Sequence, residues 1–285
     1  AGAQVATHLA GLDVAVLALE TYPGVRLDDV TAVLGDRQVI DVSTAYRSPA
    51  ELEALVGKDL TDDPIFARLT TFAVADFFDP GRLAALRQRV TDVERPIALV
   101  GTGASLLGAH DLLVYADLAR WEIQARQRAG ELGNLGADNA GARASLLYKR
   151  AFFLDWRAAD RLKAGLLEQV DLFLDTTTST PLLIDGASVR RGLEQAALQP
   201  FRVVPFFDPS PWGGQWMREV CDLPDGPANY GWCFDCVPEE NSLLLGFGDQ
   251  VLELPSLDLV RYRPAAVLGK RVQDRFGGQF RTPFD

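Results

Sequence analysis

Short apolar runs of strand length alternate with amphipathic patterns of helix length from residue 14 to residue 198. Each run is bounded by turn residues, which is typical of strands buried in a parallel sheet. The predicted strands are residues 14–19, 39–42, 97–100, 111–117 and 170–174. The predicted helices are residues 51–57, 65–74, 81–90, 118–128, 144–167 and 186–198. This alternation favours an α/β fold in which a mostly parallel sheet carries helices on both faces.

Capping signals mark the starts of three of these helices. Proline directly follows a serine or an aspartate at Ser48, Asp63 and Asp79. A side-chain oxygen at such a position accepts hydrogen bonds from the free N–H groups of the first turn, and proline suits the first helical position because it lacks an N–H group. Glu51 completes a capping box with Ser48. The three signals support the helices predicted after them.

The pattern changes after Pro200. A short strand is predicted at 201–207, and prolines at 205, 209 and 211 exclude a helix there. Gly248-Asp249 lies between apolar runs at 242–247 and 250–254, which predicts a β-hairpin, and a helix is predicted from Pro264. We therefore expect two domains, an α/β domain at 1–200 and a smaller α+β segment at 201–285.

Composition narrows the class of protein. The net charge is −11, so the phosphates of a nucleic acid would be repelled by the surface. No run approaches the ~18 apolar residues that a membrane span needs, and the N-terminal stretch lacks the basic leader of a secretory signal. Three cysteines, an odd number, fit a reducing cytoplasm better than a disulfide framework. We expect a cytoplasmic protein, and a homo-oligomer is compatible with the sequence.

The candidate phosphate-binding residues are Gly101, Thr102, Gly103, Arg126 and Arg128. Glycines that follow a strand can turn backbone N–H groups toward an anion, and arginines on the next helix could pair with it. A tight connection and a solvated helix face are the plainer alternatives, and the sequence favours them because no lysine or arginine lies between 103 and 111. The first predicted strand leads into neither of the common phosphate-loop motifs.

Cysteine and histidine chemistry is weakly indicated. Cys233 and Cys236 form a C-x-x-C, but acidic residues follow it, and buried reduced cysteines are the default interpretation. A structural zinc site needs about four ligands, and His8 and His110 are isolated. Neither a metal site nor a catalytic triad is predicted, and the catalytic residues remain unidentified.

One family resemblance covers roughly residues 95 to 178. The run IALVGTGASLLGAHDLLVYADLARWEIQARQR resembles P-loop kinases of the uridine kinase and phosphoribulokinase type, with Asp111, Asp117, Arg126 and Arg128 in that pattern. LYKRAFFLDW and VDLFLDTT resemble the helix and last strand that follow. The phosphate loop and its lysine are missing, so the resemblance implies a kinase-like fold that no longer transfers phosphate.

A second resemblance begins at Arg202. PFFDPSPWGGQWM is similar to the opening of class I mannose-6-phosphate isomerases, with Trp212, Gly213 and Gly214 as the family motif. The predicted hairpin and helix would then lead into a cupin domain. The resemblance implies zinc as the cofactor, but no recognisable zinc ligands are present in this chain, and DCVP stands at 235–238 where the family commonly has S-A-H-P.

Three functions follow from these patterns. The leading expectation is part of a mannose-6-phosphate isomerase-like enzyme, which interconverts aldose and ketose sugar phosphates with zinc polarising the substrate. This chain is then expected to be inactive alone. The alternatives are a sugar or nucleoside kinase with an atypical phosphate site, and a non-enzymatic module that binds a sugar phosphate or a nucleotide.

Overall fold

The structure is a computed structural model that describes residues 2–108, 110–198, 242–255 and 257–263. The chain divides into two compact units, one made of residues 1–118 and 122–190 and the other of residues 119–121 and 191–285. Two of the three boundaries between the units, after residues 121 and 190, fall inside helices.

A six-stranded sheet forms the centre of the first unit. Its strands are β1 (Val16–Thr21), β2 (Gln38–Asp41), β3 (Ile97–Gly101), β4 (Leu112–Asp117), β5 (Leu172–Asp175) and β6 (Leu182–Asp185). Their order is β2-β3-β1-β4-β5-β6. The first five pair in parallel, and β6 runs antiparallel to β5. The prediction of a mixed α/β fold with a mostly parallel sheet is confirmed.

α-Helices of five to thirteen residues precede, connect and follow these strands. The α-helices are α1 (Gly2–Ala10), α2 (Leu27–Thr31), α3 (Pro49–Leu60), α4 (Pro80–Asp92), α5 (Arg120–Arg128), α6 (Ala144–Arg150), α7 (Trp156–Leu166) and α8 (Gly186–Leu198). Three 3₁₀ turns lie at Val42–Ala45, Val74–Phe77 and Ala104–Leu106. A π turn at Ala151–Asp155 joins α6 to α7. The helix predicted at 144–167 therefore has the observed bounds to within one residue, but a π turn interrupts it at Ala151–Asp155.

The sequence signals for strands and caps have visible physical causes in the structure. All six residues of β1 are buried: residues 16–19 belong to the predicted apolar run, and Glu20 and Thr21 extend the strand beyond it. Ser48 and Glu51 form the predicted capping box at the start of α3. Asp79 Oδ1 accepts a hydrogen bond of 2.8 Å from the N–H of Arg82 in α4. Caps of this kind stabilise a helix by about 1 kcal/mol each.

The helix predicted at 65–74 is wrong. Asp63 does accept hydrogen bonds from the N–H groups of Ile65 and Phe66, at 2.8 and 2.6 Å, but the chain then runs on without a helix. The N–H of Thr70 donates instead to the carbonyl of Phe153 at 3.0 Å. Lys149 Nζ donates to the carbonyls of Thr61 and Asp63. These long-range bonds hold the backbone extended, so tertiary contacts override the local signal.

The second unit contains the predicted hairpin. β7 (Ser242–Phe247) and β8 (Gln250–Pro255) pair antiparallel around Gly248-Asp249, and α9 (Leu257–Tyr262) follows. The indole N–H of Trp121 donates to Glu253 Oε1 at 2.7 Å. The predicted strand at 201–207, the motif Trp212-Gly213-Gly214, the three cysteines and the helix from Pro264 lie outside the described residues. None of the described helices has the length and hydrophobicity that crossing a membrane requires.

Candidate functional site

The candidate site lies at the carboxyl edge of the sheet, where the direction of the chain connections reverses. From β1 the chain continues to β2 on one side, and from β4 it continues to β5 on the other. Ligands of open α/β sheets bind outside the carboxyl ends of strands at such a point. Glu20 lies one residue before the end of β1, and Asp117 ends the neighbouring strand β4.

Glu20 is buried and holds the turn that follows β3. Its carboxylate accepts a hydrogen bond of 2.6 Å from the N–H of Gly103 and one of 2.8 Å from the N–H of Ser105. Burial raises the pKa of Glu20 to about 7, although the two N–H groups act in the opposite direction. A carboxyl group that titrates near neutral pH is uncommon and marks a candidate site.

The turn after β3 is tightly packed. Gly103 has a φ of 95°, and a Cβ atom there would lie 2.7 Å from ring atoms of Phe78. The hydroxyl of Tyr46 donates to the carbonyl of Thr102 at 2.6 Å. Burial, and then the negative charges of Glu20 and Asp41, raise the pKa of Tyr46 above its ordinary value. Only glycine fits at position 103, so this turn is shaped for close approach to β1.

Lys163 of α7 pairs with Asp117 of β4 below the same edge. Lys163 is fully buried, and its Nζ donates to Asp117 Oδ2. The same Nζ lies 5.3 Å from the centre of the Tyr115 ring. The carbonyl of Asp117 accepts hydrogen bonds from Thr176, which follows β5. A lysine is almost never fully buried unless it is paired, so the burial of Lys163 depends on its ion pair with Asp117.

A third buried group joins the residue after β1 to α7. The hydroxyl of Tyr22 donates to Asp160 Oδ1 at 2.9 Å, and Asp160 Oδ2 lies 3.3 Å from Arg157 Nη2. The guanidinium of Arg157 also lies 5.1 Å from the centre of the Phe152 ring. All of these side chains are buried. The fixed ring of Tyr22 therefore fills the position directly after the central strand.

The π turn before α7 carries another buried pair. Arg150 Nε lies 3.4 Å from Asp155 Oδ1, and Asp155 Oδ2 accepts from the N–H of Leu135 at 3.1 Å. Burial raises the pKa of Asp155, while Arg150 acts to lower it. π turns occur mostly at functional positions of helices. Here the turn places a carboxylate against the glycine-rich segment that precedes α6.

The phosphate-binding residues predicted from sequence are committed to protein groups or exposed. Gly101, Thr102 and Gly103 form the turn that Glu20 holds. Arg126 is buried and binds Glu122, the carbonyl of Gly24 and the carbonyl of Thr176. Arg128 is exposed at the end of α5. Asp111 accepts from the N–H of Val16 at 2.8 Å, which puts it at the opposite end of β1.

Sequence reasoning missed four residues of the site, which are Glu20, Tyr22, Asp160 and Lys163. One signal was available for Glu20, since it directly follows the apolar run of β1. Asp160 and Lys163 are three residues apart, which places them on one face of a helix. Their burial depends on pairing with distant strands, and no local pattern predicts that.

The described residues hold no group of three or more histidine, cysteine, aspartate or glutamate side chains that could bind a metal ion. The zinc implied by the isomerase resemblance therefore finds no fitting site in this part of the chain. No chemical step is derived through it.

The comparisons with known proteins give one family. A model described as a domain of unknown function (DUF8485) matches residues 2–198. The search of curated proteins found no match to the chain. The matched range contains the whole six-stranded sheet and every residue of the candidate site.

Proposed function

The chain belongs to the DUF8485 family through residues 2–198, and on that premise we propose that this part is a kinase-like domain that binds a sugar phosphate or a nucleotide without transferring a phosphoryl group. Phosphoryl transfer requires backbone N–H groups and a cation around the phosphates. The N–H groups of Gly103 and Ser105 and the guanidinium of Arg126 bind other groups of the protein instead.

The observation that carries the proposal is the contact between Glu20 and the turn after β3. The N–H groups of Gly103 and Ser105 bind the protein's own carboxylate at 2.6 and 2.8 Å. A phosphate could bind these N–H groups only by displacing the Glu20 carboxyl group. The turn predicted as a phosphate site is thus occupied by a side chain of the protein itself.

The segment after β1 is closed as well. In a P-loop kinase it would be a glycine-rich phosphate loop, but here the ring of Tyr22 is buried and bonded to Asp160. Gly24 packs so closely on Ile123 that an added Cβ would lie 2.8 Å from its side chain. Arg126 donates to the carbonyl of Gly24 at 2.9 Å. Neither turn beside the central strand is therefore open to a triphosphate.

The kinase-like resemblance is supported by the order of elements in the range it covers. β3 ends at Gly101, β4 ends at Asp117, and β5 is the last parallel strand. Binding is supported by the buried ion pairs at the carboxyl edge. Burying charge costs free energy, and folded proteins concentrate such charge at ligand sites.

The proposal is tested with the full 285-residue protein. Thermal unfolding is followed with mannose 6-phosphate, fructose 6-phosphate or ATP, and product formation is assayed in the same mixtures. We expect at least one ligand to raise the melting temperature in proportion to the logarithm of its concentration, with no turnover. No shift with any ligand would refute the binding role, and phosphorylated product would refute the absence of transfer.

The kinase alternative has its own discriminating variant. Arg126→Ala removes three contacts with protein groups and so disturbs the fold. Arg128 is exposed, so Arg128→Ala should lower the melting temperature less than Arg126→Ala does. If ATP binds by calorimetry and Arg128→Ala abolishes that binding, the atypical kinase is favoured over the non-transferring domain.

We propose further that residues 201–285 begin an isomerase-type segment that acts on sugar phosphates. The hairpin of β7 and β8, which follows the motif region as the resemblance implies, supports this proposal. We expect the purified chain to show no aldose–ketose interconversion of mannose 6-phosphate, with or without added zinc. Zinc-dependent turnover by these 285 residues would contradict the expectation.

A further inference from the structure

The turn after β3 is attached to the central strand through a single carboxyl group. Glu20 is 1% exposed, and its carboxylate makes the hydrogen bonds to Gly103 and Ser105 described above. The hydroxyl of Ser105 lies beside the same carboxylate but makes no hydrogen bond of standard geometry. This buried oxygen is an available acceptor for a proton on Glu20.

We propose that Glu20 is a proton-linked latch: its protonated carboxyl group keeps the turn at 102–106 closed on β1, and loss of the proton as the pH rises lets the turn open locally. The protonated group can accept from the N–H of Gly103 and donate to the Ser105 hydroxyl. The ionised group stays buried in the closed turn, away from bulk solvent, which costs free energy.

Among the described residues, no cation contributes to the pKa shift of Glu20. The titratable or charged side chains on the elements packed near it are Tyr22 on its own chain segment, Tyr115 and Asp117 on β4, Asp41 and Tyr46 around the turn after β2, Asp155 in the π turn, and Asp160 and Lys163 on α7. Lys163 is already paired with Asp117. Burial is the main cause that raises the pKa of Glu20.

The direction of the effect follows from linkage. In an open turn the carboxyl group meets water and returns to its ordinary pKa of 4.5, whereas in the closed turn the pKa is about 7. The open state therefore binds fewer protons and gains population between these two values as the pH rises. The glycines at 101 and 103, with φ of 128° and 95°, allow the backbone to rotate there.

The test is amide hydrogen exchange of the full protein between pH 5 and pH 8, with the intrinsic pH dependence of exchange removed. The N–H groups of Gly103 and Ser105 report directly, because they are the donors to Glu20. We expect their protection factors to fall on the order of fifty-fold across this range, as the two pKa values require. Protection of the 112–117 strand should stay higher throughout, since the opening is local.

Three variants complete the test. Glu20→Gln and Glu20→Met both remove the titration, and either should abolish the pH dependence at 103 and 105 if it folds. Asp41→Asn is the matched control, because Asp41 lies beside the same turn but accepts from the N–H of Ser43. In Asp41→Asn the protection factors at 103 and 105 should still fall as the pH rises. The latch is refuted if the wild-type protection factors change less than about threefold, if a folded Glu20 variant shows the same fall, or if strand 112–117 exchanges at equal protection.

Discussion

The hydroxyl of Tyr22 donates a hydrogen bond of 2.9 Å to Asp160 Oδ1, and this bond connects the residue after the central strand to α7. It fixes the Tyr22 ring against α7. Both side chains are buried. The bond therefore contributes to stability as well as to the shape of the site.

Tyr22→Phe should lower the free energy of unfolding by about 1–2 kcal/mol, because the aromatic ring remains while a buried acceptor loses a donor. Urea unfolding monitored by circular dichroism gives the value. Tyr262→Phe is the control, since that ring lies 4.6 Å from the Arg263 guanidinium and keeps this contact without its hydroxyl. A loss no larger than the control's would show that the Tyr22 hydroxyl is dispensable.

Lys163→Met should cost roughly 3–5 kcal/mol, since it leaves the Asp117 carboxylate buried without its cation. Asp117→Asn in the same chain should recover part of that loss, because the uncompensated charge is removed. Unfolding free energies of the two single variants and the double variant form a cycle that measures the coupling. Additive losses would mean that the two side chains do not interact.

The unfolding free energy should fall as the pH rises from 4.5 to about 7, by on the order of 3 kcal/mol from Glu20 alone. The sign follows because burial raises the pKa of this carboxyl group in the folded state. Its contribution to stability is fully present below the pKa of the unfolded chain, 4.5, and is lost as the pH rises through the pKa of the folded protein, about 7. Denaturation curves of wild type and Glu20→Gln at several pH values isolate the contribution. Parallel pH profiles for the two proteins would contradict it.

Gly103→Ala should destabilise the protein by about 2 kcal/mol or more, since the added Cβ would clash with Phe78 and the backbone is left-handed there. Gly108 also has a positive φ, but a Cβ atom at that position would meet nothing within 4 Å. Gly108→Ala therefore measures backbone strain alone and should cost less. If the two variants lost the same unfolding free energy, the contact with Phe78 would not contribute to the cost of Gly103→Ala.

Gly57→Ala should stabilise the protein by about 0.5–1 kcal/mol. Gly57 lies within α3, and a Cβ atom there meets nothing within 4 Å. Alanine reduces the conformational entropy of the unfolded chain and suits a helix interior. A rise in the urea midpoint with an unchanged m-value is the expected observation, and a fall would contradict the argument.

The sheet was predictable because each parallel strand is a short run of apolar residues with a turn on either side. Residues 16–19 of β1 and all of β3 are apolar and buried, so their burial could be predicted from the sequence. Ser48 and Asp79 were equally readable as caps, since a cap acts on residues three positions away. Local physics was enough for these features.

The features that the sequence did not predict depend on contacts between distant parts of the chain. The Asp63 signal failed to start a helix because Lys149, 86 residues away, binds the Asp63 carbonyl. β6 has only four residues and pairs antiparallel at the edge, so its pattern was too short to separate from the start of α8. Glu20 and Lys163 became candidate site residues only when the structure brought them against Ser105 and Asp117.

The complete burial of Lys163 has a practical consequence for chemical labelling. Lys58 is exposed on α3, whereas the amine of Lys163 is enclosed and bonded. An amine-selective reagent at neutral pH should therefore modify Lys58 in every folded molecule and reach Lys163 only in molecules whose interior has opened. The ratio of the Lys163 adduct to the Lys58 adduct, measured by mass spectrometry over time, would therefore report how often the domain opens.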